Sequence, residues 1–288
     1  MRVGVVFPQT EIGPDAAVIR EYAAVAEGSG YDHLLVYDHV LGASVAHRPD
    51  WRGPYTEQHQ FHEPFVLFGF LSGFTTRLEM VTGVIILPQR QTALVAKQAA
   101  EVDRLSGGRL RLGVGVGWNE VEYVGLNERF DNRGRRIGEQ IDLMRRLWTE
   151  EVVDFHGRYH TIPEAGIRPL PVQQPIPVWI GGYSDTVMDR IGRMADGWFP
   201  GSQPGDDLQR SLARIAEAAE AAGRDPLMIG MEGRITLKHG DEATWEAQTQ
   251  AWHDAGATHL SVNTMGQGRT PEQHIETIRR YREVVMRQ

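Results

Sequence analysis

With 288 residues, 41% of them hydrophobic, the chain can bury a large core, and α/β barrels of this length are routinely one domain. A net charge of −8 without a prominent basic cluster argues against nucleic acid, and zero cysteines exclude disulfides, thiolate catalysis and Cys-based zinc sites. No apolar run approaches the ~20 residues of a membrane span, and the N-terminus runs straight into a strand-like segment, so a cytoplasmic protein without a leader is expected.

In chain order, strand-like runs fall at residues 3–7, 34–37, 78–87, 110–116, 178–181, 197–199, 228–236 and 260–263. Helical stripes lie between them: Val18, Tyr22, Val25 and Ala26; Val95, Ala99 and Val102; Ile137, Ile141, Met144 and Trp148; Leu208, Leu212, Ile215 and Ala219. Trp245, Gln248 and Trp252 form a weaker stripe, and Ile275, Ile278 and Val285 close the chain. Eight short apolar strands alternating with helices predict an α/β fold, a (β/α)8 TIM barrel over residues 1–288, with a doubly wound sheet as the alternative. Two segments exceed the regular alternation. Residues 42–62, after the second strand, are polar and rich in His, Trp, Pro and Gly, and in a barrel they rise over the C-terminal mouth as an active-site loop. Residues 152–175 carry Phe155-His156-Gly157 and four prolines, and read as an insertion between the fourth helix and fifth strand that covers the mouth or a partner chain.

Candidate chemistry clusters at strand ends. Asp38-His39 closes the second strand, where a carboxylate and an imidazole project into a barrel mouth and suit acid–base work; a satisfied structural pair is the plainer reading. Gly113, Gly115 and Gly117 alternate along the fourth strand and bare its backbone on one face, allowing a flat ligand to approach; G-x-G-x-G does not fit a Rossmann site. Glu120 and Glu122 follow, and with Asp38 they raise a glycosidase reading, although acids are common at helix starts. His39, His47, His59 and His62 lack metal-ligand spacing, so no metal is expected, and His62-Glu63-Pro64 reads as a helix lead-in. At residues 177–200 the run Val178-Trp179-Ile180 turns through Gly181 and Gly182 into a helix begun by Ser184 and Asp185. Free N–H groups at such a turn suit a phosphate, while an ordinary tight βα turn would use the same residues.

Several strings together resemble the luciferase-like monooxygenase superfamily, most closely its oxidoreductases that use the deazaflavin coenzyme F420. They are residues 3–9, YDHLLVYDH (31–39), EPFVLFGFLSGFTTR (63–77), TGVIILPQR (82–90), AKQAAEVDRLSGGRLRLGVGVG (96–117) and residues 179–198, covering roughly the first 200 positions. The resemblance implies a TIM barrel that holds a flavin or deazaflavin at its mouth. Asp38 and His39 would lie beside the ring, with His39 as acid or base. Gly83-Val84 would form a cis-peptide bulge behind the ring, and Gly117 would pass the cofactor's side chain. Gly181, Gly182, Tyr183 and Ser184 would hold the phosphate. Some sugar-phosphate dehydrogenases of the group carry a glutamate directly after the glycine matching Gly117; here that residue is Trp118, expected with Trp51 and His59 to wall a pocket for an apolar substrate. The function expected is hydride transfer between F420 and a small organic substrate. The alternatives are an FMN-dependent monooxygenase served by a separate reductase, and a non-catalytic flavin-binding relative. A homodimer is the expected assembly.

Overall fold

The computed structural model describes residues 1–238 and 241–285. Its strands form one closed ring. β1 (Arg2–Val6) is flanked by β2 (His33–Val36) and, at the far end of the chain, by β11 (His259–Asn263). From β11 the ring continues through β10 (Gly230–Thr236), β9 (Gly197–Pro200), β8 (Val178–Gly182) and β5 (Leu110–Gly115), all parallel. β3 (Glu79–Thr82) pairs with both β2 and β5 and closes it. β3 and the two-residue β4 (Ile85–Ile86) together make one barrel strand, giving eight staves. The expected run 78–87 is interrupted at Gly83–Val84, whose peptide is cis, and the ladder to β5 resumes at Ile85–Val114.

The helices form an outer layer: α1 (Ala16–Gly28), α2 (Pro64–Ser72), α3 (Thr92–Ser106), the short α4 (Glu120–Gly125), α5 (Arg133–Thr149), α6 (Asp185–Met194), α7 (Asp206–Ala221), α8 (Glu242–Asp254) and α9 (Pro271–Val285). Their starts follow local chemistry. Asp15 caps α1 by accepting from Ala17 N–H, and Glu63 caps α2 by accepting from Val66 N–H, with Pro64 in the first turn. The apolar stripes face the staves: Tyr22 and Ala26 of α1, Ile137, Ile141 and Met144 of α5, and Ile275 and Ile278 of α9 are buried. The weak stripe of α8 forms as well, through buried Trp245 and Trp252. Among the described residues no helix is long and apolar enough to cross a membrane.

Two local expectations change. The run expected from 228 begins at Gly230, because Pro226–Met228 winds into a single 3-10 turn that leaves Met228 exposed. The insertion 152–175 holds an antiparallel hairpin, β6 (Val153–His156) with β7 (Thr161–Ala165). It lies against α5 rather than over the mouth: His160 Nδ1 contacts Glu139 at 2.8 Å, and Glu139 also accepts from Arg158 and Tyr159 N–H.

One feature of the barrel interior breaks the apolar pattern. Arg111 of β5 donates to Glu232 of β10 and pairs with Glu79 of β3 at 3.1 Å, while Glu232 also meets His33 of β2 at 3.0 Å and accepts from Ser261 of β11. Burial raises the Glu232 carboxyl, but Arg111 and then His33 outweigh it and hold Glu232 well below the usual carboxylate range. A buried ion cluster with every carboxylate oxygen occupied is tolerated where an unpaired charge is not.

Candidate active site

The site is assembled at the C-terminal ends of the staves, around a cavity of about 1260 Å³. That exceeds the usual 300–1,000 Å³ of a single-ligand pocket and leaves room for a cofactor and a substrate together.

At the end of β2, Asp38 is 4% exposed and both of its oxygens are engaged: one accepts from Arg90 at 2.8 Å, the other from Ile86 N–H at 3.2 Å. Arg90 also pairs with Glu63 at 2.9 Å. Burial pushes Asp38 above the usual carboxylate range, and the Arg90 charge partly reverses that. Asp38 therefore lines the cavity as a fixed carboxyl, paired with Arg90, that braces β4. Gln9, fully buried, links the neighbouring strand ends: its amide donates to the Tyr37 carbonyl, and its carbonyl accepts from His62 N–H at 2.6 Å.

His39 faces the cavity inside an aromatic cage. Tyr55, Phe61 and Trp118 stand edge-on to its ring at centroid distances of 5.2, 4.8 and 5.6 Å. Its Nδ1 lies 3.4 Å from Oε2 of Glu122, a side chain 1% exposed. The other oxygen of Glu122 accepts from Val40 N–H and from Leu41 N–H at 3.1 Å, and Gln89 donates to Oε2 at 3.2 Å. Burial raises this carboxyl, but the His39 contact and the two backbone donors bring it below the ordinary value, so Glu122 stays ionised. Asn119 completes the fastening, capping α4 and donating to the Leu41 carbonyl at 3.3 Å.

Below His39 the chain makes its bulge. A Cβ on Gly113 would fall 1.9 Å from the Thr82 carbonyl oxygen, and one on Gly115 would fall 2.6 Å from Val84. The bare strand face thus first admits its own neighbours, Thr82 and the bulge residue Val84, rather than a ligand. Gly83, Val84, Gly115 and Gly117 then line the cavity beyond them. At the opposite end Gly181, Gly182, Tyr183 and Ser184 line it too, with Gly182 at φ 153. Ser184 is the N-cap of α6 in extended geometry, yet its side chain makes no capping bond, contrary to the expected hydroxyl cap. Its carbonyl accepts from Val187 and Met188 N–H, so the N–H groups before them have no acceptor within the helix. Arg133, at the start of α5, lines the same end; its side chain contacts only the Phe130 carbonyl and ring, with no carboxylate partner among the described residues.

Of the residues expected at the site, Asp38, His39, Gly83, Val84, Gly117, Trp118, His59 and the 181–184 turn all line this one cavity. Trp51 does not: it packs behind Trp118 at a ring distance of 5.5 Å. The glycosidase pair does not assemble, because Glu120 is exposed outside the cavity and Glu122 is spent on backbone donors. Sequence reasoning missed Glu122 as the partner of His39, Phe61 and Tyr55 of the cage, and Arg133. It also missed the opposite wall, where Arg234 donates to the Tyr37 hydroxyl at 2.9 Å. For Arg133 a signal existed in the Arg-Gly-Arg-Arg start of α5.

The family model described as luciferase-like monooxygenase matches residues 1–284. An F420-dependent glucose-6-phosphate dehydrogenase from Segniliparus rotundus is 35% identical over 243 residues, 81% of this chain and 68% of that one. Among solved structures, the monooxygenase RslO1 from Streptomyces bottropensis superposes with a TM-score of 0.79 at 20% identity, covering 99% of both chains. An F420-dependent secondary alcohol dehydrogenase in complex with an F420–acetone adduct gives 0.77 at 19% identity, covering 99% of this chain and 98% of that one. His39, the Gly83–Val84 bulge and the 181–184 turn line one cavity of a barrel whose sequence matches over nearly its whole length: the chain belongs to the luciferase-like monooxygenase family, as an oxidoreductase.

Proposed function

We propose that the protein transfers a hydride between coenzyme F420 and a small, uncharged, largely apolar organic substrate. The observation that carries this is the joint lining of one cavity by His39, the Val84 bulge and the 181–184 turn, with Arg133 unmatched beside that turn. The residues fit such a cofactor: free N–H groups and a guanidinium at one end for a phosphate, and a narrow bulge under the middle for a flat ring. When bound, the deazaflavin supplies a carbon that carries a hydride but does not readily form an oxygen adduct. The residues of the chain do the rest. Asp38, paired with Arg90, holds β4 in place. Glu122 accepts a hydrogen bond from Nδ1–H of His39 and so aims Nε2 at the cavity, where it takes or gives the substrate's proton. Trp118, Tyr55 and Phe61 exclude water around it.

The F420 reading draws on the Segniliparus rotundus relative. That relative's sugar phosphate is not carried over, because Trp118 stands where a proton-donating glutamate would be needed and the cage is aromatic. The alternative cofactor is FMN, in a monooxygenase fed by a separate reductase; a non-catalytic flavin binder has no use for a Glu122-held imidazole. The test is a side-by-side fluorescence titration with F420 and FMN, followed by turnover with small alcohols, ketones and enones. Tight selective F420 binding with substrate-dependent bleaching or recovery of the deazaflavin absorbance is expected. Selective FMN binding, or binding of neither, would overturn the reading.

A further inference from the structure

The wall of the cavity away from the glycine turn carries a pair that the chemistry described so far leaves unused. Tyr37, at the end of β2, reaches across the mouth to β10, where its hydroxyl accepts from Nη1 of Arg234 at 2.9 Å. Both residues line the cavity. Among the described residues the Arg234 guanidinium makes no ion pair; it meets the Tyr37 hydroxyl and, at 5.8 Å, the Tyr37 ring. Tyr37 holds Arg234 above its ordinary value against burial, with lesser pulls from Tyr55 and from Glu232. Glu232 is already committed, since its oxygens meet Arg111, His33 and Ser261. Burial pushes the Tyr37 phenol up and Arg234 only partly reverses that, so the hydroxyl keeps its proton and can donate it.

Acceptors on the same wall are taken. Oε1 of Glu11 accepts from Gly266 and Gly268 N–H at 3.1 and 3.0 Å, and its Oε2 lies 3.0 Å from Nε2 of His274. The side-chain oxygen of Asn263 accepts from Met265 N–H at 3.0 Å. What Arg234 and Tyr37 have left over is donors: guanidinium N–H groups and a phenol O–H. Tyr37 packs on the apolar cluster of Val6, Leu35, Val81 and Met265, a low-dielectric setting that strengthens such donors. A corner that only donates matches a group that only accepts, an oxygen on which negative charge develops. Tyr55 stands next to this corner and to His39: its ring is edge-on to His39 at 5.2 Å, and after burial it is Tyr37 and Arg234 that act on its phenol. The oxygen site and the proton-handling imidazole are therefore neighbours but separate.

Resting on the hydride-transfer reading, we propose that Arg234 and Tyr37 hold the carbonyl oxygen of a conjugated, α,β-unsaturated carbonyl substrate that is reduced at its C=C bond. Hydride, with the reduced deazaflavin as two-electron donor, adds to the β-carbon. The C=C electron pair shifts toward the carbonyl carbon, and the C=O pair moves onto the oxygen, where Arg234 and Tyr37 stabilise it. The α-carbon then takes one proton from Nε2 of protonated His39, which regains it from water, and the product is the saturated carbonyl compound. A simple ketone would need the proton on its oxygen, which would put that oxygen at His39 and leave the donor corner without a task.

The oxygen site is tested without turnover by ¹⁹F NMR of para-fluorophenol, whose phenolate mimics the charged oxygen. Wild type should bind the phenolate about tenfold more tightly than the phenol, so that the bound phenol ionises about one pH unit below the free one. Arg234→Gln should erase that preference, and His39→Ala should leave it. Tyr37→Phe, which keeps the ring and loses the O–H, should weaken it about threefold and carries the test if Arg234→Gln does not fold. Saturating F420 should leave the phenolate bound; its displacement would assign the corner to a carbonyl of the cofactor ring and overturn the proposal. In turnover, wild type should convert an enone to the saturated ketone, and Arg234→Gln should lose about 10²-fold in kcat with the F420 Kd unchanged. Equal affinity of wild type for phenol and phenolate, or carbonyl reduction in place of C=C reduction, overturns the proposal while leaving the F420 reading intact. Absence of F420 binding defeats the hydride reading alone, because the phenolate preference is measured without cofactor and decides the oxygen site by itself.

Discussion

Glu122 is where fold and chemistry can be pulled apart by one atom. Its Oε1 accepts both backbone donors, Val40 and Leu41, whereas Oε2 faces Gln89 and His39 Nδ1. Glu122→Ala removes a side chain that is 1% exposed and strands four donors; at 1–3 kcal/mol each, largely relieved by water and by turning of the Gln89 and His39 side chains, the loss is about 3 kcal/mol. With an unfolding entropy of about 2.1 cal/mol/K per residue, that lowers the Tm by roughly 5 °C in a chain of 288 residues. Glu122→Gln keeps the oxygen that holds the loop, and Gln89 can turn to meet the new amide, so the Tm should fall by about 2 °C or less. The amide, however, presents an N–H to Nδ1 and drives the His39 proton to Nε2. A neutral imidazole in that tautomer can neither accept the substrate's proton nor donate one without becoming an imidazolate. Turnover in either direction should therefore drop by about 10²-fold or more, with KM and cofactor Kd unchanged. Differential scanning fluorimetry, steady-state kinetics and ¹⁵N shifts of the histidine ring read the three quantities. Wild-type kcat in Glu122→Gln, or a kcat loss that merely tracks the Tm loss, would refute the reasoning.

Other outcomes follow from the same geometry. His39→Ala should lose turnover by about 10²–10⁴-fold while cofactor titration stays at the wild-type Kd; unchanged kcat would remove His39 from the chemistry. Gly113→Ala places a methyl 1.9 Å from the Thr82 carbonyl oxygen, backbone that cannot swing aside. A destabilisation of about 3 kcal/mol is expected, measured by urea unfolding, and a wild-type midpoint would contradict the close approach. Acid should weaken the barrel early. Burial, then the Arg111 charge, lowers folded His259 to about 3 from an ordinary 6.5, so between those values the unfolded chain holds a proton the folded chain refuses. Stability is full above 6.5 and lost as pH falls toward 3, and depressed Glu232 adds a loss below its ordinary 4.5. The urea midpoint should decline by the equivalent of a few kcal/mol from pH 7 to pH 4, and less in His259→Gln; a flat profile would count against the buried cluster.

What the chain declares by itself is whatever local chemistry controls. Eight apolar runs alternating with 3.6-period stripes require strands and helices in turn, and parallel strands so connected close into a barrel. The Gly181-Gly182 turn and the position of Asp38-His39 at a strand end need only neighbours in sequence, which is why both could be placed at the mouth. Val153–His156 escaped because two short, half-exposed strands lack the pattern of a buried one. The remainder depends on closure. Glu122 meets His39 from 83 positions away, and Arg111 reaches Glu232 across 121, contacts that no periodicity announces. The same holds for the glycines of β5, legible as bare backbone but not as sockets for Thr82 and Val84, and for the arginines of α5 and α6. Charges in sequence carry no direction; only the packing of α5 and α6 beside the 181–184 turn decides which groups these arginines meet.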